Sequence, residues 1–308
     1  MIGLALGLGV SLALSACSSS NGSTTSSGSG PLSGVTITVG SKNFTENILL
    51  GEMLVQALQH EGATVNDKTN LGGTSVNRQA LLSGDIDVYP DYDGTGWTVH
   101  LKQTDPSQDP KTLYDDVAKM DLAKNNIEWI GTSPFNDTSG FAANPDVAKQ
   151  TGGPFTFQTL ADYLTANPSA TVCMESEFPN RPDGLILWEN STGYTIPQSQ
   201  IKILQTGLIY TQTQKGVCDF GEVFTTDGRI TALNLSLVQD PGVMILYNVS
   251  YTMRDSVYQA HASTYDDIVN KILAPLDNAK MAELNAEVDV QGVSAKKVAA
   301  DYLSSIGL

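Results

Sequence analysis

The sequence is poor in positive charge. Its 308 residues contain 17 lysines and arginines against 33 aspartates and glutamates, which gives a formal net charge of −16. Nucleic-acid binding depends on clustered Lys and Arg side chains that neutralise phosphates, so this balance argues against a nucleic-acid partner. It also disfavours adsorption to anionic lipid. Solubility is the first explanation of this negative charge, and attraction of a cationic ligand is the second.

Residues that usually mark catalysis or metal binding are scarce. The three histidines, His60, His100 and His261, are scattered and show neither metal-ligand nor catalytic-triad spacing. No phosphate-binding loop, Gly-x-Ser-x-Gly elbow or Cys-x-x-Cys pair is present. We therefore expect a protein that is not an enzyme and that uses no cofactor and no metal. A hydrolase that relies on an unmarked carboxylate pair is the competing class.

Charge is absent before Lys42, and the only long apolar run stands at the N-terminus. This run of about 15 residues ends in Leu14-Ser15-Ala16-Cys17. It is too short to span a bilayer and has the length of the apolar core of a signal peptide. The final four residues resemble a bacterial lipobox, so we predict a lipoprotein signal peptide over 1–16 and lipidation of Cys17. The missing basic start predicts that the natural start lies a few residues upstream; an uncleaved anchor is the alternative.

A tether follows the predicted lipidation site. Residues 18–30 consist only of Ser, Gly, Thr and Asn. Such a segment buries no apolar surface and behaves as a flexible coil. We predict that residues 17–34 are the lipidated cysteine and a tether that holds the folded body at the outer face of the cell membrane.

Two further cysteines stand in the body of the chain. Cys173 and Cys218 lie in short segments of β-strand character. Outside the cytoplasm, an even pair of cysteines is a candidate disulfide. The sequence leaves two alternatives open, a disulfide or two buried free thiols.

The body alternates strands and helices. Val35–Val39 reads as a strand, and Asn43–Glu46 resembles a capping box before a helix that continues to Leu58. Repetition of this pattern predicts an α/β fold with parallel sheets. A second αβ series is followed by three more helices, which suggests that the chain returns to its first half. We expect a two-lobed clamp with a ligand cleft between lobe 1 (35–134 plus 246–308) and lobe 2 (135–245).

Seven short motifs stand in order along this body. They are Gly40–Glu46, Leu71–Thr74, Asp87–Thr95, Phe135–Thr138, Asn180–Gly184, Gly221–Arg229 and Leu284–Asp289. Together they resemble the glycine betaine/choline/carnitine (osmoprotectant) binding proteins of ABC importers. The resemblance implies the type II periplasmic-binding-protein fold. It also implies a monomeric, extracytoplasmic solute-binding component that works with an ABC permease and ATPase.

The resemblance further implies a cage of aromatic rings around the ammonium group of the ligand. Ring faces suit a bulky, weakly hydrated cation that donates no classical hydrogen bond. Tyr92, Phe224 and Tyr247 occupy cage positions, whereas Ser139 stands where the family usually has an aromatic residue. Asn47 replaces a glutamine of the family.

Polar ligand contacts are implied as well. Thr74 and Asn47 lie at strand-to-helix turns, which suit a ligand carboxylate. Asn136 and Thr95 belong to two of the motifs and complete the predicted site. A carboxylate at Asp93 would favour a pure cation such as choline over a zwitterion, provided that it faces the cleft.

Some residues near the predicted site have two interpretations. Phe135, Phe141 and Trp97 are candidates to replace the ring that Ser139 lacks. Arg181 and Asp183 either contact the ligand or bridge the lobes.

The sequence thus predicts a binding protein for quaternary-ammonium osmoprotectants of the glycine betaine, choline or carnitine type, which captures its ligand by lobe closure. Three alternatives remain: a binding protein of the same fold for another small ligand, a surface lipoprotein enzyme, and a sensory or adhesive surface lipoprotein.

Overall fold

The computed structural model describes residues 30–150, 152 and 154–308. The predicted signal peptide, Cys17 and most of the predicted tether lie outside these residues. Over the part of the chain that is described, no helix has the length and apolar character needed to cross a membrane.

Ten strands in the described residues form two five-stranded sheets, one at the centre of each lobe. In chain order the strands are β1 Thr36–Lys42, β2 Thr64–Gly72, β3 Val88–Tyr92, β4 Ile127–Ile130, β5 Ser139–Ala143, β6 Val172–Met174, β7 Ile201–Ile203, β8 Phe220–Phe224, β9 Ser236–Leu237 and β10 Val249–Arg254. The first sheet has the order β2-β1-β3-β10-β4, and the second has the order β7-β6-β8-β5-β9. The predicted α/β class is confirmed.

Helices cover the sheets. The α-helices are α1 Thr45–His60, α2 Thr74–Ser83, α3 Asp93–Thr95, α4 Pro110–Asn125, α5 Pro145–Gln150, α6 Phe157–Ala166, α7 Leu185–Thr192, α8 Thr206–Gln214, α9 Arg229–Ala232, α10 Asp255–Tyr258, α11 Ala262–Leu273, α12 Asn278–Asp289 and α13 Ala295–Ser305. A π-helical turn, Gly96–His100, follows α3, and 3-10 turns occur at Phe178–Asn180 and Gln198–Gln200. The last three helices pack on α1, so the chain ends on the lobe where it began.

The sheets are mixed, and the expectation of parallel sheets is wrong at the strands that follow each crossing between lobes. β1 pairs in parallel with β2 and β3, as the alternation of strands and helices predicts. β10 runs antiparallel to β3 and β4, and β5 runs antiparallel to β8. No crossover helix precedes β5 or β10, and it is such a helix that lets consecutive strands run the same way.

Each lobe has its own apolar core. One buried cluster draws its residues from 32–135 and 245–303, and another draws them from 141–244. We use the terms lobe 1 and lobe 2 for the bodies around the first and the second sheet. The boundaries at 134/135 and 245/246 stay a prediction.

The predicted capping box at the start of α1 does not form. The helix begins at Thr45 after Phe44, and no side chain caps it. Glu46, which would complete the box, turns towards the interior and accepts a hydrogen bond from the hydroxyl of Thr226 in lobe 2. The helix start therefore serves contact between the lobes, and Asn43 instead lines the cleft.

A disulfide crosses lobe 2. Cys173 in β6 is bonded to Cys218, which lies just before β8, and their Cα atoms are 5.7 Å apart. Both residues are fully buried. Of the two alternatives that the sequence left open, the structure has the disulfide.

Replacing both cysteines, Cys173→Ala with Cys218→Ala, should lower the free energy of unfolding by about 2–4 kcal/mol, because the bridge closes a long loop of the unfolded chain. Urea titration followed by circular dichroism measures this change. Wild-type protein reduced with dithiothreitol is the control for the cavity that alanine leaves, and it should lose most of the same stability. Equal urea midpoints for the variant and the oxidised wild type would contradict the prediction.

Candidate ligand-binding cleft

A cleft of about 920 Å³ lies between the two lobes. Its walls are formed by residues at the carboxyl ends of β1, β2, β3, β6 and β8 and at the amino ends of the antiparallel strands β5 and β10. From lobe 1 these include Lys42–Phe44, Gly73–Thr74, Tyr92, Thr95 and Tyr247, and from lobe 2 Asp137, Ser139, Glu175–Phe178, Arg181, Asp183, Glu222 and Phe224. This is the edge at which open α/β sheets bind ligands.

Four aromatic rings lie close together in the cleft. The centroid of Phe44 lies 6.1 Å from that of Tyr92 and 5.2 Å from that of Phe224. The centroid of Tyr247 lies 6.0 Å from that of Tyr92. Phe224 comes from lobe 2 and the other three rings come from lobe 1, so the ring cluster spans the cleft. The structure brings together the three rings that were predicted as cage residues.

Phe44 is the ring that sequence reasoning missed. It was noted only as part of a motif and of a helix start. The sequence contained a local signal for it. Phe is a poor N-cap residue, so a Phe directly before a helix indicates a role other than capping. The side chain instead joins the ring cluster at the end of β1.

The rings proposed as replacements at Ser139 are elsewhere. Ser139 lines the cleft and pairs with Phe224 across β5 and β8. Phe135 and Phe141 are fully buried in the cores of lobe 1 and lobe 2. The indole N–H of Trp97 donates to a backbone carbonyl, and this residue lies outside the lining. None of the three fills the gap, because each is held in the packing of its own lobe.

Arg181 carries the polar contact between the lobes within the cleft. Its guanidinium donates to the hydroxyl of Thr74 at 3.3 Å and to that of Thr95 at 3.1 Å. It also holds both oxygens of Asp183, at 2.8 and 2.7 Å. The hydroxyl of Tyr247 donates to the same carboxylate. Arg181 and Asp183 therefore bridge the lobes, which is one of the two roles considered for them.

Two predicted contacts lie behind the cleft. The side chain of Asn47 accepts from the backbone N–H of Lys42 at 2.6 Å and donates to the carbonyl of Pro90 at 2.9 Å. Asn136 accepts from the backbone N–H of Tyr247 at 2.7 Å. Neither Asn47 nor Asn136 is part of the lining. Both residues hold backbone next to the ring cluster.

Asp93 faces away from the cleft. It is fully buried and accepts a hydrogen bond from the hydroxyl of Ser250 at 3.1 Å. Burial raises the pKa of its carboxyl well above the usual value. The argument that Asp93 selects a cation therefore fails, because its carboxyl does not face the ligand space.

A buried charge cluster underlies the rings. The Lys42 ammonium lies 2.7 Å from Asp91 Oδ1 and 5.0 Å from the centroid of Tyr92. Asp91 Oδ2 accepts from the hydroxyl of Tyr89 at 2.5 Å and lies 2.7 Å from His100 Nε2. Burial lowers the pKa of Lys42. Burial would raise the pKa of Asp91, but Lys42 and His100 hold it well below its usual range.

A second buried cluster joins the lobes beneath the rings. The hydroxyl oxygen of Thr226 lies 2.5 Å from Glu46 Oε2 and 2.6 Å from Asp137 Oδ1. The backbone N–H of Thr226 also donates to Asp137 Oδ1 at 3.3 Å, and a proton on one of the two carboxyls completes the contact at the hydroxyl, whose single hydrogen serves only one of them. Burial raises the pKa of both carboxyls, and the nearby Glu46 charge adds to the effect at Asp137. Glu46 also accepts from Tyr92 and Asn285.

Comparison with known proteins decides the family. Residues 35–305 match OpuAC, the substrate-binding domain of ABC-type glycine betaine transport systems. The chain belongs to this family. OpuAC-type domains are the binding components of importers, so the predicted solute-binding role is confirmed. Binding components of this kind act on the extracytoplasmic side of the membrane.

Individual relatives agree with this OpuAC assignment. The glycine betaine-binding protein YehZ of Escherichia coli K12 is 33% identical over 282 residues, which cover 88% of this chain and 90% of YehZ. The carnitine transport binding protein OpuCC of Listeria monocytogenes is 29% identical over 280 residues, covering 90% and 88%. The solved structure of apo YehZ has a TM-score of 0.62 at 32% identity and covers 88% of this chain and 99% of its own. The predicted type II fold is confirmed.

The proton shared by Glu46 and Asp137 predicts a pH dependence of stability in this OpuAC-type protein. The folded state binds this proton more tightly than the unfolded chain does, so stability falls as pH rises above the usual carboxyl pKa of about 4. Asp137→Asn should make that fall shallower by up to about 1.4 kcal/mol per pH unit. Urea unfolding at several pH values between about 5 and 8 measures the slope.

Asp301→Asn is the matched control, because it makes the same chemical change on an exposed residue. Its slope should equal that of the wild type. If Asp137→Asn also leaves the slope unchanged, the shared proton is excluded.

Proposed function

We propose that this protein binds small quaternary-ammonium osmoprotectants for an ABC importer. The ring cluster of Phe44, Tyr92, Phe224 and Tyr247 carries the proposal. A trimethylammonium group offers no N–H donor, and ring faces attract it by about 0.5–2 kcal/mol each. The two relatives described above, a glycine betaine-binding protein and a carnitine transport binding protein, agree with this ligand class.

The division of the rings between lobes supports capture by closure. Phe224 belongs to lobe 2, so it completes the cage only when the lobes approach each other. Arg181 reaches from lobe 2 to Thr74 and Thr95 and holds that arrangement. In this mechanism the ligand enters an open cleft, the rings enclose its ammonium group, and the permease recognises the closed form.

The predicted contacts divide into two groups under this proposal. Tyr92, Phe224 and Tyr247, with Thr74, Thr95 and Ser139, face the ligand. Asn47 and Asn136 act as positioning residues, because their side chains hold the backbone behind the cage. We expect the protein to act as a monomer.

A calorimetric titration with glycine betaine, choline and carnitine tests the ligand class. The Tyr92→Ala variant should bind the preferred ligand about 30-fold more weakly, because a desolvated ring contact of about 2 kcal/mol is lost. Tyr92→Phe is the matched control, since it keeps the ring and removes only the hydroxyl that donates to Glu46. It should bind within about threefold of the wild type.

Two results would contradict the proposal. If none of the three compounds binds below about millimolar concentration, the protein binds another small ligand with the same fold. If Tyr92→Ala binds as tightly as the wild type, the ring cluster is not the cage. Conversion of a ligand to product by the purified protein would support the competing enzyme class.

We also propose that the protein is a lipoprotein anchored to the outer face of the cell membrane through Cys17. The sequence pattern Leu14–Cys17 supports this anchor. In cells, Cys17→Ala should shift the protein from the membrane fraction to the soluble fraction or leave an unprocessed precursor. Immunoblotting of the fractions measures the shift. A variant that is processed and retained in the membrane like the wild type would refute the anchor.

A further inference from the structure

Two of the seven sequence motifs meet each other between the lobes, away from the ligand-facing residues. The motif Gly221–Arg229 ends in lobe 2, and the motif Leu284–Asp289 ends on α12 in lobe 1. Arg229 Nη2 lies 3.3 Å from Asp289 Oδ2, and both side chains are 12% exposed. Neither residue lines the main cleft. The proposed cage and the contacts of Arg181 therefore leave this ion pair without a role.

The two lobes touch directly beside this ion pair. A Cβ atom at Gly228 would lie 2.5 Å from the Cβ of Ala286 and 2.7 Å from the carbonyl oxygen of Ala282. Such a close approach of α12 to lobe 2 needs a residue without a side chain. The side chain of Asn285 also donates to the carbonyl of Thr226 at 3.1 Å.

The ion pair is incompletely formed. Asp289 Oδ1 accepts from the hydroxyl of Thr45 at 2.6 Å. Among the described residues, no donor is aligned for a hydrogen bond with the buried Oδ2, although Arg229 lies within ion-pair distance of it. Burial raises the pKa of the Asp289 carboxyl, and Arg229 opposes that rise. Because buried polar atoms normally have a partner, a closer Arg229 would satisfy Oδ2 and favour the ionised carboxylate.

A second cavity, of about 10 Å³, leaves room for such an approach. Both lobes line it, with Thr45 and Asn285 from lobe 1 and Phe224 and Arg229 from lobe 2. A space of this size holds at most about one water molecule. Asn285 Oδ1, like Asp289 Oδ2, is a buried acceptor without a hydrogen-bond donor in the part of the chain that is described. Two acceptors of α12 thus remain unsatisfied beside a small gap between the lobes.

Arg229 also connects this contact with a ring of the cluster. Its guanidinium lies 4.1 Å from the centroid of the Tyr210 ring. The hydroxyl of Tyr210 accepts from the backbone N–H of Phe224 at 3.0 Å. Both oxygens of Asp227 fix the guanidinium from the other side. Because Arg229 is held in lobe 2 in this way, its attraction to Asp289 acts on the wall that carries Phe224.

From these observations we propose that Arg229 and Asp289 form a latch between the lobes, which tightens as the lobes close and positions Phe224 against the rings of lobe 1. The latch touches no ligand atom, so it sets the fraction of protein in the closed form and not the choice of ligand. A ligand that needs the closed form loses affinity in proportion to that fraction. This inference rests on the proposed function and adds two positioning residues to it.

Calorimetry with the Asp289→Asn variant tests the latch. The amide keeps an acceptor for Thr45 and removes the charge that attracts Arg229. Affinity for each quaternary amine that the wild type binds should fall by about tenfold, and the ratio of the affinities for two such ligands should stay within about twofold. Glu283→Gln is the matched control, because it makes the same chemical change on an exposed residue of α12 whose partner, Lys280, lies on the same helix. It should bind as the wild type does.

A distance measurement gives a second readout that needs no ligand. Spin labels at Leu82→Cys and Ile186→Cys report on the two lobes, because both residues are exposed and lie on α2 and α7, which begin on opposite sides of the cleft. In the ligand-free protein, Asp289→Asn should shift the label distances to longer values, whereas Glu283→Gln should leave them unchanged. Gly228→Ala should lengthen them as well, because its methyl group would stand between the lobes.

The outcomes separate failure of the latch from failure of the proposed function. The latch is refuted if Asp289→Asn leaves the affinity or the label distances unchanged, or if it alters the ratio of affinities. In each of these cases the proposed function stands, provided that the wild type binds a quaternary amine. If the wild type binds none, the proposed function fails, and the label distances alone decide the latch.

Discussion

The buried carboxylate of Glu46 is the point on which the ring cluster, both lobes and the C-terminal helices depend. One oxygen accepts from the hydroxyl of Tyr92, which fixes one ring of the cluster. The other accepts from Thr226 in lobe 2 and from Asn285 in α12. A carboxylate in this position is costly to bury unless all these donors are in place. The contact between the lobes at Thr226 therefore satisfies a group that would otherwise be destabilising.

Two of the four rings depend in the same way on buried polar groups. Tyr92 and Tyr247 present apolar faces to the cleft, while their hydroxyls bind carboxylates behind it. Such amphipathic rings are held in one orientation by the polar end and leave the apolar face free to line the cleft. Phe44 and Phe224 have no hydroxyl, and their orientation depends on packing against each other. The site thus combines rings with anchored hydroxyls and rings that rely on contact alone.

Much of the architecture was predictable because it follows from local patterns. Strand and helix alternation, and ordered motifs, lead to the two-lobed fold and to Tyr92, Phe224 and Tyr247 in the cleft. The antiparallel strands and the role of Asn47 were not predictable, since both depend on how distant segments meet. Glu222 also escaped notice, because a glutamate in a strand looks like a surface residue until its burial is known. Phe44 was predictable from its place directly before a helix, where Phe caps poorly. The sequence analysis treated this segment as a capping box only.

The disulfide between Cys173 and Cys218 reinforces the lobe 2 wall of the cleft. It ties β6 to the start of β8; β6 leads into Glu175, and β8 carries Glu222 and Phe224. Cytosolic reductants keep cysteines as free thiols, whereas the environment beyond the membrane allows them to form a disulfide. A covalent bond between two lining segments of lobe 2 therefore suits the extracytoplasmic side on which binding components of this family act.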